Sequence, residues 1–199
     1  MTLTRRSLAS ALSVMLIAIS GCAQSRTSGP YAGGEPVRDP QRARELHTEA
    51  SEMLSRDPKQ AEVLLRQALD ADLYHGPSHN NLGVLLLKQG KLYEAAGEFE
   101  WARKLMPGHP DPRVNLAMTL ERAGKTDEAL LAYDTALEVF PNYLPALQGK
   151  AMIQVSTGQF DESTRVMLSE IALRGDADWR EWAQRQQGRR GMPDLPAPN

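Results

Sequence analysis

The chain has 199 residues, 41% of them hydrophobic and 24% charged, with a formal net charge of −2. That length holds one domain with appendages, and so mild and mixed a charge excludes a nucleic-acid or general polyanion binder. A single cysteine, Cys22, excludes an intramolecular disulfide and a cysteine-built metal site.

The chain opens MTLTRRSLASALSVMLIAISGC, with Arg5 and Arg6 ahead of an uncharged, mostly apolar run over residues 8–19. A basic stretch followed by about 7–15 apolar residues is an export signal, shorter than the ~20 residues that span a bilayer. Ile19-Ser20-Gly21-Cys22 resembles a bacterial lipobox, whose cysteine is diacylated while the leader, residues 1–21, is removed. The resemblance implies a lipid anchor on Cys22, durable because each buried CH₂ contributes ~0.8 kcal/mol. With Ala23 next, it also implies sorting to an outer membrane, facing the periplasm. Thr4-Arg5-Arg6-Ser7-Leu8 resembles a twin-arginine signal in part, so both export routes stay open. Residues 22–40 are rich in Gly, Pro and Ser without apolar periodicity, which predicts a flexible tether.

Two stretches then repeat each other 34 residues apart, GKLYEAAGEFEWARKLMP and GKTDEALLAYDTALEVFP, starting at Gly90 and Gly124. With Gly76 and Pro110 as position 1, Leu82 and Leu116 share position 7. Gly83, Ala117 and Ala151 share position 8; Gly90, Gly124 and Gly158 share position 15. Ala95, Ala129 and Ser163 fall at position 20, Phe99, Tyr133 and Met167 at 24, and Pro107 and Pro141 at 32. This pattern resembles the tetratricopeptide repeat (TPR), a helix–turn–helix unit that must stack on copies of itself to bury its apolar face. Glycine at 15 suits the left-handed residue that ends a helix, small residues at 8 and 20 admit close helix approach, and proline at 32 stops the second helix.

Outward the pattern fades. Upstream, Ala61, Leu65 and Ala68 mark the second helix of a unit near residue 42, with Asp57-Pro58 as its cap and first residue. Downstream, Lys150, Gln154 and Glu170 replace apolar or small residues in a fourth unit, as an edge unit facing water would require. A last helix follows Asp176, with Trp179 and Trp182 on one face, where they lid the core's end or make a homodimer. The expected fold is all-α: a right-handed α-solenoid of about four TPR hairpins (residues 42–75, 76–109, 110–143 and 144–175, within 41–175), a capping helix at 176–188, and a disordered tail at 189–199.

No residue set suggests catalysis, a cofactor or a metal site. His75 and His79 flank Gly76-Pro77 at a helix start, which sets them on different faces. The resemblance implies a concave protein-binding groove lined by positions 2, 5, 6, 9, 12 and 13 of each first helix. Carried over, these are Asn80, Asn81, Val84, Leu87 and Lys88; then Asp111, Val114, Asn115, Met118, Glu121 and Arg122; then Gln148, Met152 and Val155. Asn81 and Asn115 share position 6; their amides can grip an extended peptide backbone or hydrogen-bond nearby backbone of the chain itself. Met118 and Met152 share position 9, and Lys88 and Arg122 share position 13. The Lys-5/Asn-9 clamp of chaperone-binding relatives is missing, which argues against a co-chaperone. The function implied is a non-catalytic, membrane-anchored adaptor holding a protein or peptide partner, in the line of pilus or secretion assembly factors. The competing readings are an adaptor for cell-wall hydrolases and proteases, a self-associating structural module, and a metal-dependent enzyme.

Overall fold

The computed structural model describes residues 38–189. The expected leader, the lipidation site Cys22, nearly all of the tether and most of the tail lie outside the described residues. Among the described residues there are helices and no strand: α1 (Pro40–Met53), α2 (Pro58–Ala71), α3 (Gly76–Lys88), α4 (Leu92–Leu105), α5 (Asp111–Arg122), α6 (Thr126–Val139), α7 (Leu144–Ser156), α8 (Glu162–Arg174) and α9 (Ala177–Arg189). Each helix packs on the next, and the first helices α1, α3, α5 and α7 also neighbour one another as an inner layer. This is an all-α helical repeat, as the periodicity requires.

Local chemistry sets the boundaries. Asp39, Asp57 and Asp161 each accept a backbone N–H of the first turn, at Arg42, Gln60 and Thr164, and Asp176 does the same for Trp179. Such a cap contributes typically ~1 kcal/mol by satisfying one orphan donor. Proline opens α1 and α2, where its missing N–H costs nothing. Gly90, Gly124 and Gly158 take φ of 77°, 75° and 74° just past α3, α5 and α7. Side-chained residues rarely adopt that conformation, so position 15 stays glycine in all three units.

The helix seams explain the other small residues. A Cβ added to Gly83 would sit 2.6 Å from the fully buried Phe99 ring, so α3 and α4 touch ring against backbone. Burying such a ring contributes roughly 1.5–3 kcal/mol. The polar replacements of the fourth unit are all satisfied. Lys150 pairs with Asp134 of α6, the buried Thr164 hydroxyl donates to Gln154 Oε1 at 3.2 Å, and Glu170 pairs with Arg174. The folded part begins earlier than the tether reading placed it: Arg38 donates to the buried carboxylate of Asp72 at 2.9 Å, and α1 starts at Pro40. At the other end α9 continues through Gly188 to Arg189.

Candidate functional site

The inner layer carries the residues transferred from the repeat, and it treats them unequally. Position 6 runs His47, Asn81, Asn115, Gly149 across α1, α3, α5 and α7. Asn81 Nδ2 donates to His47 Nε2 at 3.0 Å and to Ser51 Oγ at 3.4 Å. Asn115 Nδ2 donates to Asn80 Oδ1 at 3.0 Å. The asparagines thus stitch successive first helices by side-chain contacts, rather than merely bonding nearby backbone. Asn80 Nδ2 and Asn115 Oδ1 stay without a partner among the described residues, and both side chains are part-exposed.

Where α7 would supply a third position-6 amide, Gly149 leaves a gap. The gap is filled from below: a Cβ there would lie 2.2 Å from Tyr133 Cζ. The Tyr133 ring is 1% exposed, and its hydroxyl donates to Glu121 Oε2 at 3.5 Å. Burial first, and the Glu121 charge second, push this phenol well above the usual tyrosine range, so it is a neutral donor at physiological pH.

Above that ring the wall opens into a cavity of about 480 Å³ between α5, α7 and the start of α9. Val114, Met118, Glu121, Arg122, Gln148 and Met152 line it. Met118 and Met152 are 39% and 40% exposed, high for long apolar side chains. Arg122 Nη1 reaches across to the carbonyl of Leu87 at 3.3 Å, at the end of α3, beside exposed Lys88. Asp111, the first residue of α5, accepts from the Tyr143 hydroxyl. Burial and then this bond raise the Tyr143 phenol to about 12.

Three transferred residues behave otherwise. Leu87, placed in the groove by its repeat position, is 6% exposed and belongs to the core. Val84 and Val155 are half-buried against the core on either side. Trp179 and Trp182 stack edge-to-face at 5.3 Å and pack on the α7–α8 core. Trp179 also lines the cavity, a role the sequence does not announce because α9 lies outside the repeat. Tyr133 is a second unforeseen contributor, since its repeat position marks it only as core. Three of the four histidines, His47, His75 and His79, make hydrogen bonds within the chain. His75 Nδ1 is 2.8 Å from Ser78 Oγ, while buried His79 is held by Glu98 and the Leu73 carbonyl. Among the described residues no group of three His, Cys, Asp or Glu is placed to hold a metal ion.

Residues 51–110 match one tetratricopeptide repeat model and residues 111–143 another. This segment consists of tetratricopeptide repeats. The chain is similar to the peroxisomal targeting signal receptor of Saccharomyces cerevisiae, 30% identical over 102 residues covering 51% of this chain and 16% of the receptor. It spans 12% and 16% of the length of the curated relatives it matches. Among solved structures it shares its fold with the first TPR of Spaghetti (RPAP3) bound to the HSP90 peptide SRMEEVD, at TM-score 0.59 and 19% identity, covering 62% of this chain and 99% of that one. It likewise shares the fold of YrrB, a TPR protein with an unusual peptide-binding site, at TM-score 0.60 and 19% identity, covering 75% and 78%. TPR arrays are in general non-catalytic scaffolds for protein–protein interaction.

Proposed function

We propose that this chain is a non-catalytic adaptor of a bacterial cell envelope, tethered to the outer membrane through lipidated Cys22, that holds an extended protein segment along α3, α5 and α7. The observation that supports it best is the unspent polar capacity of the inner layer. Asn80 Nδ2 and Asn115 Oδ1 have no partner among the described residues, and Gln148 stands at the cavity beside two exposed methionines. Amides both donate and accept, as a peptide backbone does, so such a row holds an extended chain with little regard to its sequence. The peptide-binding neighbours use the same architecture. The specialisation we favour is an assembly factor for pilus or secretion machinery, because small lipoproteins of this architecture act there.

A photo-crosslinking amino acid at Met118, in cells of the native organism, tests this. The expected product is one covalent adduct with an envelope protein, absent when the same group replaces Leu131, which is 66% exposed on α6. Adducts from Leu131 and none from Met118 would overturn the groove as the working surface. Identifying the adduct by mass spectrometry separates a pilus or secretin subunit from a cell-wall hydrolase. In parallel, Cys22→Ser is expected to move the chain out of the outer-membrane fraction; unchanged fractionation would remove the lipid anchor from the reading.

A further inference from the structure

Because paired helices alternate in direction, the helix junctions gather along two rims. One rim holds the start of each first helix and the end of each second helix. There the Asp39 N–H donates to the Ala71 carbonyl and Arg174 Nη1 to the Asn142 carbonyl, both at 2.8 Å. The other rim holds the tight turns before α2, α4, α6 and α8. The first rim exposes Leu73, Tyr74, Phe140 and Leu173, with Trp101 one turn inside it, stacked on His79 at 5.7 Å. Among the described residues the second exposes one large apolar side chain, Tyr93, among polar neighbours such as Arg56, Lys91 and Lys125.

The first rim has the chemistry of a lipid–water boundary. Neither the Tyr74 hydroxyl nor the Trp101 Nε1–H bonds to protein among the described residues. Rings with an apolar body and a free polar tip settle where hydrocarbon meets water. Charges of both signs surround them, Asp72 paired with Arg38 and Glu170 with Arg174, so anionic headgroups are not required. The point of chain entry selects this occupant. Arg38 lies 4.8 Å over the Tyr74 ring, so the chain from Cys22 joins the fold at the apolar rim. The sixteen residues between reach at most about 55 Å. The polar rim is a helix further on, about 20 Å for the 14 residues of α1. A lipid on Cys22 therefore brings the apolar rim to the bilayer first.

Resting on the lipid anchor of the adaptor reading, we infer that this rim is a membrane-contact surface, with Leu73, Tyr74, Trp101, Phe140 and Leu173 in the headgroup zone. The first helices then run away from the bilayer, and Met118 and Met152, past the midpoints of α5 and α7, stay clear of it.

The test uses the full chain with its lipid, purified from cell envelopes and reconstituted in phosphatidylcholine vesicles. Acylation consumes the Cys22 thiol, so Tyr74→Cys, Phe140→Cys, Lys91→Cys and Lys125→Cys each supply the thiol that takes an NBD fluorophore. Nitroxide-labelled phosphatidylcholine is expected to quench the probes at 74 and 140 about fivefold more than those at 91 and 125. Leu73→Ser with Leu173→Ser should cut quenching at 140 about twofold, with a cooperative circular-dichroism melt because both side chains are exposed. Equal quenching at both rims, while the chain floats with the vesicles, overturns the rim contact and leaves the anchor standing. A blue shift at 74 or 140 without quenching overturns it too, since protein rather than lipid would then cover the rim. A chain that does not float removes the anchor and this inference together, while a Met118 crosslink would still support the groove.

Discussion

At the α1–α3 end of the groove, His47, Ser51 and Asn81 bond to one another across a unit boundary, and Leu87 is drawn into the core. At the α5–α7–α9 end, the same repeat position holds Gly149, the wall sinks onto Tyr133, and two methionines face solvent. One end is stitched shut by its own polar groups; the other is open and apolar. Units built on one template therefore diverge in local structure at a single position: an amide there joins neighbouring helices, and where glycine replaces it the Tyr133 ring packs against the helix backbone.

The strongest way to break this comparison is to fill the gap. Gly149→Leu places a side chain where even a Cβ meets Tyr133 at 2.2 Å. We expect a loss of about 3 kcal/mol, at the upper end for overpacking, in urea unfolding. Wild-type stability for this variant would mean that Tyr133 does not form the cavity floor. Gly83→Leu, against Phe99, should lose roughly 1–3 kcal/mol by the same mechanism.

A milder cut separates stitching from gripping. Asn81→Ala is expected to lower stability by about 0.5–1.5 kcal/mol, the net value of a hydrogen bond, and to leave peptide binding nearly unchanged. Asn115→Ala should lose a similar amount and also weaken binding, because its Oδ1 has no partner among the described residues. The two losses should nearly add, since each bond crosses a different unit boundary. Equal binding in both variants would erase the distinction between the two ends.

The smallest effect is a pH dependence confined to the stitched end. Burial lowers the His47 pKa; burial, followed by the neighbouring His47, lowers that of His75. Asp72 opposes the shift of His75, while Arg44 and His79 reinforce it. In acid the unfolded chain therefore takes up protons first, beginning near the ordinary imidazole value of about 6.5. Stability from these groups is fully present above that range and is lost as the pH falls toward the lower folded-state values. Protonation also removes the lone pair on His47 Nε2 that accepts from Asn81. Thermal melts between pH 7.5 and 5 should show a decline that His47→Gln reduces. A decline of the same size in His47→Gln would place the acid sensitivity elsewhere.

Much of the fold was legible because its causes are local or strictly periodic. A glycine 34 residues from its counterpart, a small residue opposite an aromatic, or an aspartate three residues before a free N–H has nearly the same consequence in every copy. Asp57 capping α2 and the three positive-φ glycines followed from such rules. The groove was legible only in part: Met118, Arg122, Gln148 and Met152 meet at one cavity, but Leu87 does not face it. Repeat position records which way a helix face points on average, whereas burial depends on the particular helix laid across it.

By itself, then, the sequence determined that these residues pair into helices and stack, because hydrophobic faces recurring at a fixed interval have no other way to leave water. Only the tertiary structure decided that Asn81 is occupied while Asn80 and Asn115 keep free groups, that Tyr133 rises into the space Gly149 vacates, and that Trp179 closes one side of the cavity. Those outcomes depend on contacts between units, where angstrom differences in side-chain reach decide which hydrogen bonds form, and no interval along the chain encodes such distances.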